Sequence, residues 1–106
     1  MKDIKISIAE DFSDAPGARY LSDGPDSGEE FFEKLLSPRF QEATHRGKKL
    51  VVDMDGTFGY ATSFLSEAFG KLSKTYGKEC VLSTLVLISD EDPELISFTL
   101  KSIKDC

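Results

Sequence analysis

The sequence predicts an α/β domain: a mixed sheet of about four strands, an antiparallel hairpin at one edge, and three to four flanking helices. Three observations lead there. At 106 residues, 40% of them hydrophobic, the chain can fill one core and no second, so residues 1–106 read as a single domain. Residues 48–55 and 81–88 are rich in Val, Ile and Leu and apolar on both faces, the signature of strands interior to a sheet. Residues 64, 65, 68, 69 and 72 are apolar at helical spacing between those two runs. Strands alternating with helices at this separation argue a partly parallel sheet.

In chain order, residues 3–9 alternate strictly and put Ile4, Ile6 and Ile8 on one face of a first strand. Residues 10–33 hold eight Asp or Glu and a single cation, Arg19. Within them Pro16-Gly17 and Asp23-Gly24-Pro25 are turn signals that bracket a short strand from Ala18 to Leu21, the second arm of the edge hairpin. Ser27 with Glu30 three residues on is a capping box opening a helix whose stripe is Phe32, Leu35 and Leu36. Pro38 breaks that helix and restarts it as the first residue of the next, with Phe40 and Ala43 facing inward and Gly47 stopping it.

The strand at 48–55 follows, then a loop over 56–61. The helix from Phe64 ends at Gly77, and Cys80 opens the strand at 81–88 as a small core or edge residue. Val52, Leu85 and Leu87 belong in adjacent interior strands. Asp92-Pro93 caps a last helix that packs back through Ile96, Leu100 and Ile103.

Net charge is −6, from 19 acidic and 13 basic residues. Phosphate backbones and anionic lipid attract Lys and Arg clusters, so this balance argues against a nucleic-acid or membrane partner. No apolar run reaches the ~18 residues of a spanning helix, and residues 1–6 lack a signal-peptide layout, so a cytoplasmic location is expected. The one histidine, His45, lies in a polar helix end without a nearby cysteine, and Cys106 is a free terminal thiol. No cofactor or metal is expected.

The segment Val51-Val-Asp-Met-Asp-Gly-Thr57 carries the most chemistry. An apolar strand ending in D-x-D-G-T resembles the first motif of haloacid dehalogenase-like phosphatases. That resemblance implies Asp53 as nucleophile and Asp55 as acid/base, with Ser89 standing for the hydroxyl of the next strand end and Asp90 and Asp92 for a magnesium-holding pair. The motif sits near the middle of this chain, and about fifty residues after it must supply everything else. The bland reading is that the carboxylates bond loop amides, with Asp55-Gly56 as a turn.

A longer stretch, residues 51–70, reads VVDMDGTFGYATSFLSEAFG. Its strand ending in Asp, glycine-containing loop and Ser-Phe-Leu-x-Glu-Ala-Phe-Gly helix resemble the STAS-like domain family (DUF4325). Gly17-Ala-Arg-Tyr20 and Ser27-Gly-Glu-Glu-Phe31 look like that family's entry into its first helix, so the resemblance covers roughly residues 15–104.

The resemblance implies a regulatory protein-interaction domain related to anti-sigma factor antagonists, partnered by a histidine-kinase-like ATPase or a switch protein. Those regulators carry a phosphorylatable serine at a helix start, which falls here on Thr62, with Ser63 next to it. Ala61 and Phe64 depart from the pattern around it. The partner surface is then the loop and helix start over 56–67, with Thr62, Ser63, Tyr60, Glu67, Asp53 and Asp55 as its candidate residues. From the residues alone, Thr62 or Ser63 caps the helix, Glu67 offsets its dipole, and Phe58 and Tyr60 either contact a partner or anchor the loop. A nucleotide-binding reading has no glycine-rich phosphate loop or lysine motif to support it.

Overall fold

A computed structural model describes residues 3–105, so Cys106 and the first two residues lie outside the described part. The sheet is three-stranded and wholly parallel, in the order β1 (Ile4–Ser7), β2 (Leu50–Asp53), β3 (Leu85–Ile88). Three expectations fall here: among the described residues there are three strands and not four, there is no antiparallel hairpin, and β3 is an edge strand, with only β2 in the interior.

The short α1 (Ile8–Asp11) follows β1 directly, so Ile8 is buried from a helix and not from a strand. Residues 18–21 form no strand. Ala18 makes one parallel bridge to Ser27, and residues 21–23 turn into a 3-10 helix. The carbonyls of Ala18 and Arg19 accept the N–H groups of Gly28 and Glu29 at 2.8 and 3.0 Å. A helix start leaves its first amides unpaired. This segment satisfies two of them, so its extended backbone serves a helix and not the sheet.

The Ser27 hydroxyl accepts the Glu30 N–H at 3.0 Å, as the capping box requires, but the Glu30 carboxylate turns to Lys34 at 2.9 Å. The helix does not break at Pro38. α2 (Gly28–Phe31) passes through a π-helical turn (Phe32–Leu36) into α3 (Ser37–Arg46), with the Ser37 N–H bonded to the Phe32 carbonyl five residues back. A proline ring crowds the carbonyl four residues before it. The wider turn relieves that crowding, and the rod continues. Phe31 joins Phe32 and Leu36 in the core while Leu35 is half-buried. Gly47 ends the rod in the left-handed region at φ 66°, as its position suggested.

α4 (Thr62–Tyr76) buries the expected stripe completely: Phe64, Leu65, Ala68, Phe69 and Leu72. Phe31 and Phe64 stack at 5.5 Å between ring centroids, with Phe12 and Phe69 beside them. Residues 78–84 are helical (α5, Lys78–Thr84), not the first half of a strand, so Cys80 is exposed on a helix while Val81 is buried. β2 offers only Leu50–Asp53 for pairing, and β3 is as long as that register allows. The β-propensity of 81–84 has no partner strand to act on, and tertiary context overrides it.

α6 (Glu94–Lys104) packs mainly on α4. Ile103 is buried, but Ile96 and Leu100 are only half-buried. Leu95, Phe98 and the fully buried Thr99 turn toward the core instead. His45 is exposed, as its polar setting implied.

The buried residues form one cluster on one face of the sheet. Ile6, Leu50 and Val52 point into it, and Leu85 and Leu87 pack against it. The other face carries Lys5, Val51, Asp53 and Val86, of which Val86 is 39% exposed. Among the described residues no helix is long and apolar enough to cross a membrane.

Candidate functional site

In open parallel sheets ligands and partners meet the carboxyl ends of the strands, because the connecting loops splay apart there. In this chain the β2–α4 loop (residues 54–61) and the β3–α6 loop (residues 89–93) meet at that end. They line an open cavity of about 310 Å3 that includes Asp55, Thr57, Phe58, Tyr60, Ser89 and Glu91. A larger cavity of about 480 Å3, lined in part by Lys48, Lys49 and Cys80, opens at the opposite end of the strands.

Carboxylates build the first site. Asp53 is half-buried at the end of β2. One of its oxygens accepts the Asp55 N–H at 3.0 Å, and the other lies 3.8 Å from the Lys5 ammonium. Asp55 reaches across to the second loop, where its two oxygens accept the N–H groups of Asp90 and Glu91 at 3.1 and 2.9 Å. Glu91 reaches back and accepts the Gly56 N–H at 2.7 Å. Gly56 stands at φ 91°, a conformation that strains residues with a side chain. Ser89 is buried and donates to the Asp92 carbonyl at 2.6 Å, and the Asp92 carboxylate accepts the N–H of Glu94, the first residue of α6, at 3.2 Å, although the N-cap of that helix is Pro93 and not Asp92. Among the described residues no three His, Cys, Asp or Glu side chains are grouped to hold a metal ion.

The aromatic residues of the loop divide. Tyr60 is half-buried, donates its hydroxyl to the Met54 carbonyl at 2.9 Å and lies 6.0 Å from Phe64. Burial pushes its phenol well above the ordinary tyrosine range. A hydrogen bond with Thr57 opposes that shift, and the charges of Asp53, Asp55 and Glu91 add to it. Tyr60 is thus an anchor that stays protonated. Phe58 is the reverse: 89% exposed at the tip of the loop, its N–H held by the Asp14 carbonyl at 2.8 Å.

The helix start differs from the sequence reading. Ala61 is the N-cap of α4, with no side-chain cap bond, so neither Thr62 nor Ser63 caps the helix. Both lie inside its first turn, Thr62 exposed and Ser63 half-buried. The cap position is set one residue earlier because the Ala61 carbonyl already accepts the Phe64 N–H at 3.0 Å, and the Ala61 N–H is tied to the Pro16 carbonyl at 3.2 Å.

Asp53, Asp55 and Tyr60 therefore come together, with Thr62 and Ser63 on the same loop's exit. Glu67 does not join them. It lies 3.7 Å from the Arg19 guanidinium, in a separate cavity shared with Tyr20, Lys71 and Lys74. Glu91 was not singled out in the sequence. Its partner lies 35 positions away, and no local pattern marks it.

The same strand, loop and helix carry the match to a known family: residues 27–95 fit the one described as "STAS-like domain of unknown function" (DUF4325). This chain belongs to that family. Searches of curated proteins and of solved structures give no match. For this STAS-like domain, the matched span runs from the cap of α2 through the start of α6 and includes both loops of the strand-end site.

Proposed function

We propose that this STAS-like domain is a non-enzymatic interaction module in a regulatory system, which docks its partner on the β2–α4 and β3–α6 loops. The observation that carries the proposal is Phe58, a large aromatic 89% exposed on a loop whose base is clamped by Asp55, Glu91 and Tyr60. Exposed aromatics on rigid supports are typical binding anchors, because little entropy is lost when a partner covers them. Asp55, Glu91 and Asp92 line the same cavity as the anchor and make it acidic, so the complementary surface carries Arg or Lys around an apolar pocket.

The resemblance to anti-sigma factor antagonists supplies the class of partner: a histidine-kinase-like ATPase or a switch protein. It also supplies a regulatory position at Thr62, with Ser63 beside it. Neither hydroxyl serves as a cap, which favours their being open to modification, and a phosphate at the first turn of α4 suits the helix dipole.

The second reading, a magnesium-dependent phosphatase using Asp53 and Asp55, is favoured by the position of this pair at a parallel strand end. Against it stands the geometry of Asp55, each of whose oxygens already accepts a backbone N–H.

Affinity capture from the source cell with wild type, Phe58→Ala and Thr62→Glu, followed by calorimetry on the captured protein, tests the proposal. Phe58→Ala should weaken binding at least tenfold, about 1.4 kcal/mol, with an unchanged melting temperature. Thr62→Glu should shift affinity by a similar factor. Equal binding by wild type and Phe58→Ala would overturn the proposed surface. Magnesium-dependent phosphate-ester hydrolysis, abolished by Asp53→Asn, would overturn the non-enzymatic reading.

A further inference from the structure

Away from the loop site the chain carries a cationic cavity, and we propose that it binds a phosphate monoester dianion. The cavity lies between α4 and residues 19–20, measures about 360 Å3, and is lined by Arg19, Tyr20, Ser66, Glu67, Lys71 and Lys74. It shares no lining residue with the cavity of the two loops.

Helix geometry brings the charges together. Residues 67, 71 and 74 stand at i, i+4 and i+7 of α4, so they share one stripe, with neighbouring Cβ atoms about 5–6 Å apart. Glu67 precedes Lys71 by four residues, the order in which such a pair ordinarily closes. Here it stays open. Glu67 turns to Arg19 at 3.7 Å, while the Lys71 ammonium lies 5.2 Å from the centroid of the Phe32 ring. Lys74 is exposed, and among the described residues neither lysine forms an ion pair. Two like charges three residues apart on a helix repel, so an anion that covers both relieves a local cost.

The charge count selects the ligand. Three cations against one carboxylate leave the cavity with a net charge of +2. A carboxylate would bring one negative charge, whereas a phosphate monoester brings ~1.5–2 at pH 7 with three acceptor oxygens. The lining supplies donors for those oxygens. They are the two ammonium groups, the Ser66 and Tyr20 hydroxyls, and a guanidinium whose contact with Glu67 is longer than a hydrogen bond. The Tyr20 ring, 45% exposed and 5.9 Å from the Arg19 guanidinium carbon, forms an apolar wall beside them. That wall gives the organic part of an ester a surface to cover, which inorganic phosphate would leave bare.

Nuclear magnetic resonance titration of the full chain tests this. Phenyl phosphate should shift the amides of residues 19–20 and 66–74 in a saturable manner. Dimethyl phosphate, a monoanion, should bind at least tenfold more weakly. Lys74→Gln should weaken phenyl phosphate binding at least tenfold with an unchanged melting temperature, since its side chain is exposed, and Lys74→Arg should retain it. Arg39→Gln removes an exposed cation of α3 instead and should bind as wild type does. A phosphoserine peptide that binds at least tenfold tighter than phenyl phosphate would assign the ester to a phosphorylated protein. A smaller difference would assign a small phosphate ester. Phenyl phosphate that leaves residues 66–74 unshifted, dimethyl phosphate that binds equally well, or equal weakening by Lys74→Gln and Arg39→Gln would overturn the proposal.

Discussion

The Asp55 carboxylate accepts the backbone N–H of Glu91 at 2.9 Å, and the Glu91 carboxylate accepts that of Gly56, the residue after Asp55, at 2.7 Å. Two loops that are far apart in sequence are thereby locked to each other across the carboxyl ends of β2 and β3. The clamp makes the surface around Phe58 a fixed platform.

Breaking the clamp should cost stability. Hydrogen bonds to a charged acceptor contribute ~1.5–3 kcal/mol. Asp55→Ala removes two of them and leaves the Asp90 and Glu91 amides to solvent. The expected loss is about 2 kcal/mol by urea denaturation, with Glu91→Gln losing less because its amide oxygen can still accept from Gly56. An Asp55→Ala variant as stable as wild type would mean that the loops are held by packing alone.

Tyr60 sets an alkaline limit. Its phenol is protonated in the folded chain well beyond the ordinary range, mainly through burial. In the unfolded chain it loses its proton near the usual value of about 10. Above that pH the unfolded state binds fewer protons than the folded one, so stability falls as pH rises. The contribution is complete below pH ~10 and declines progressively above it. Ultraviolet titration of phenolate should therefore show a late-titrating tyrosine that is absent from Tyr60→Phe, and that variant should lose stability less steeply at alkaline pH.

Gly28 is where α2 meets α4. A Cβ there would come within 2.5 Å of the Phe64 carbonyl oxygen and 3.2 Å of the Glu67 Cβ. Backbone cannot yield as a flexible side chain can, so Gly28→Ala should force the helices apart. A cost of about 1–3 kcal/mol is expected from overpacking, read as a lowered denaturation midpoint. A neutral Gly28→Ala would refute this close approach of the two helices.

Thr99 is fully buried in α6, and its hydroxyl has no hydrogen-bond partner among the described residues. An unsatisfied buried polar group costs ~1–3 kcal/mol, and an apolar group of the same shape avoids that cost. Thr99→Val should therefore raise the melting temperature or leave it unchanged. A marked drop would reveal that the hydroxyl has a partner.

The elements legible in the sequence were those written in short-range periodicity. The face of α4, the alternation of β1, the apolar run of β2, the Ser27 cap and the Gly47 and Gly77 stops each depend on residues within a turn or two of one another. Asp53 and Asp55 could likewise be singled out, because a carboxylate pair at a strand end is a local pattern. Tertiary structure decided where each segment's hydrogen bonds go. Residues 18–19 look extended in either setting, and only the nearby start of α2, with its unpaired amides, made them a helix cap and removed the hairpin. Residues 81–84 favour a strand, but β2 is too short to pair them, so they closed into a helix. Asp55 had loop amides as one reading of its role, yet Glu91 as its reciprocal partner required the fold to bring together positions 36 residues apart. Phe58 and Tyr60, two residues apart on the same glycine-containing loop, were indistinguishable in sequence. The way the loop folds over Phe64 and the Met54 carbonyl buried one and left the other exposed.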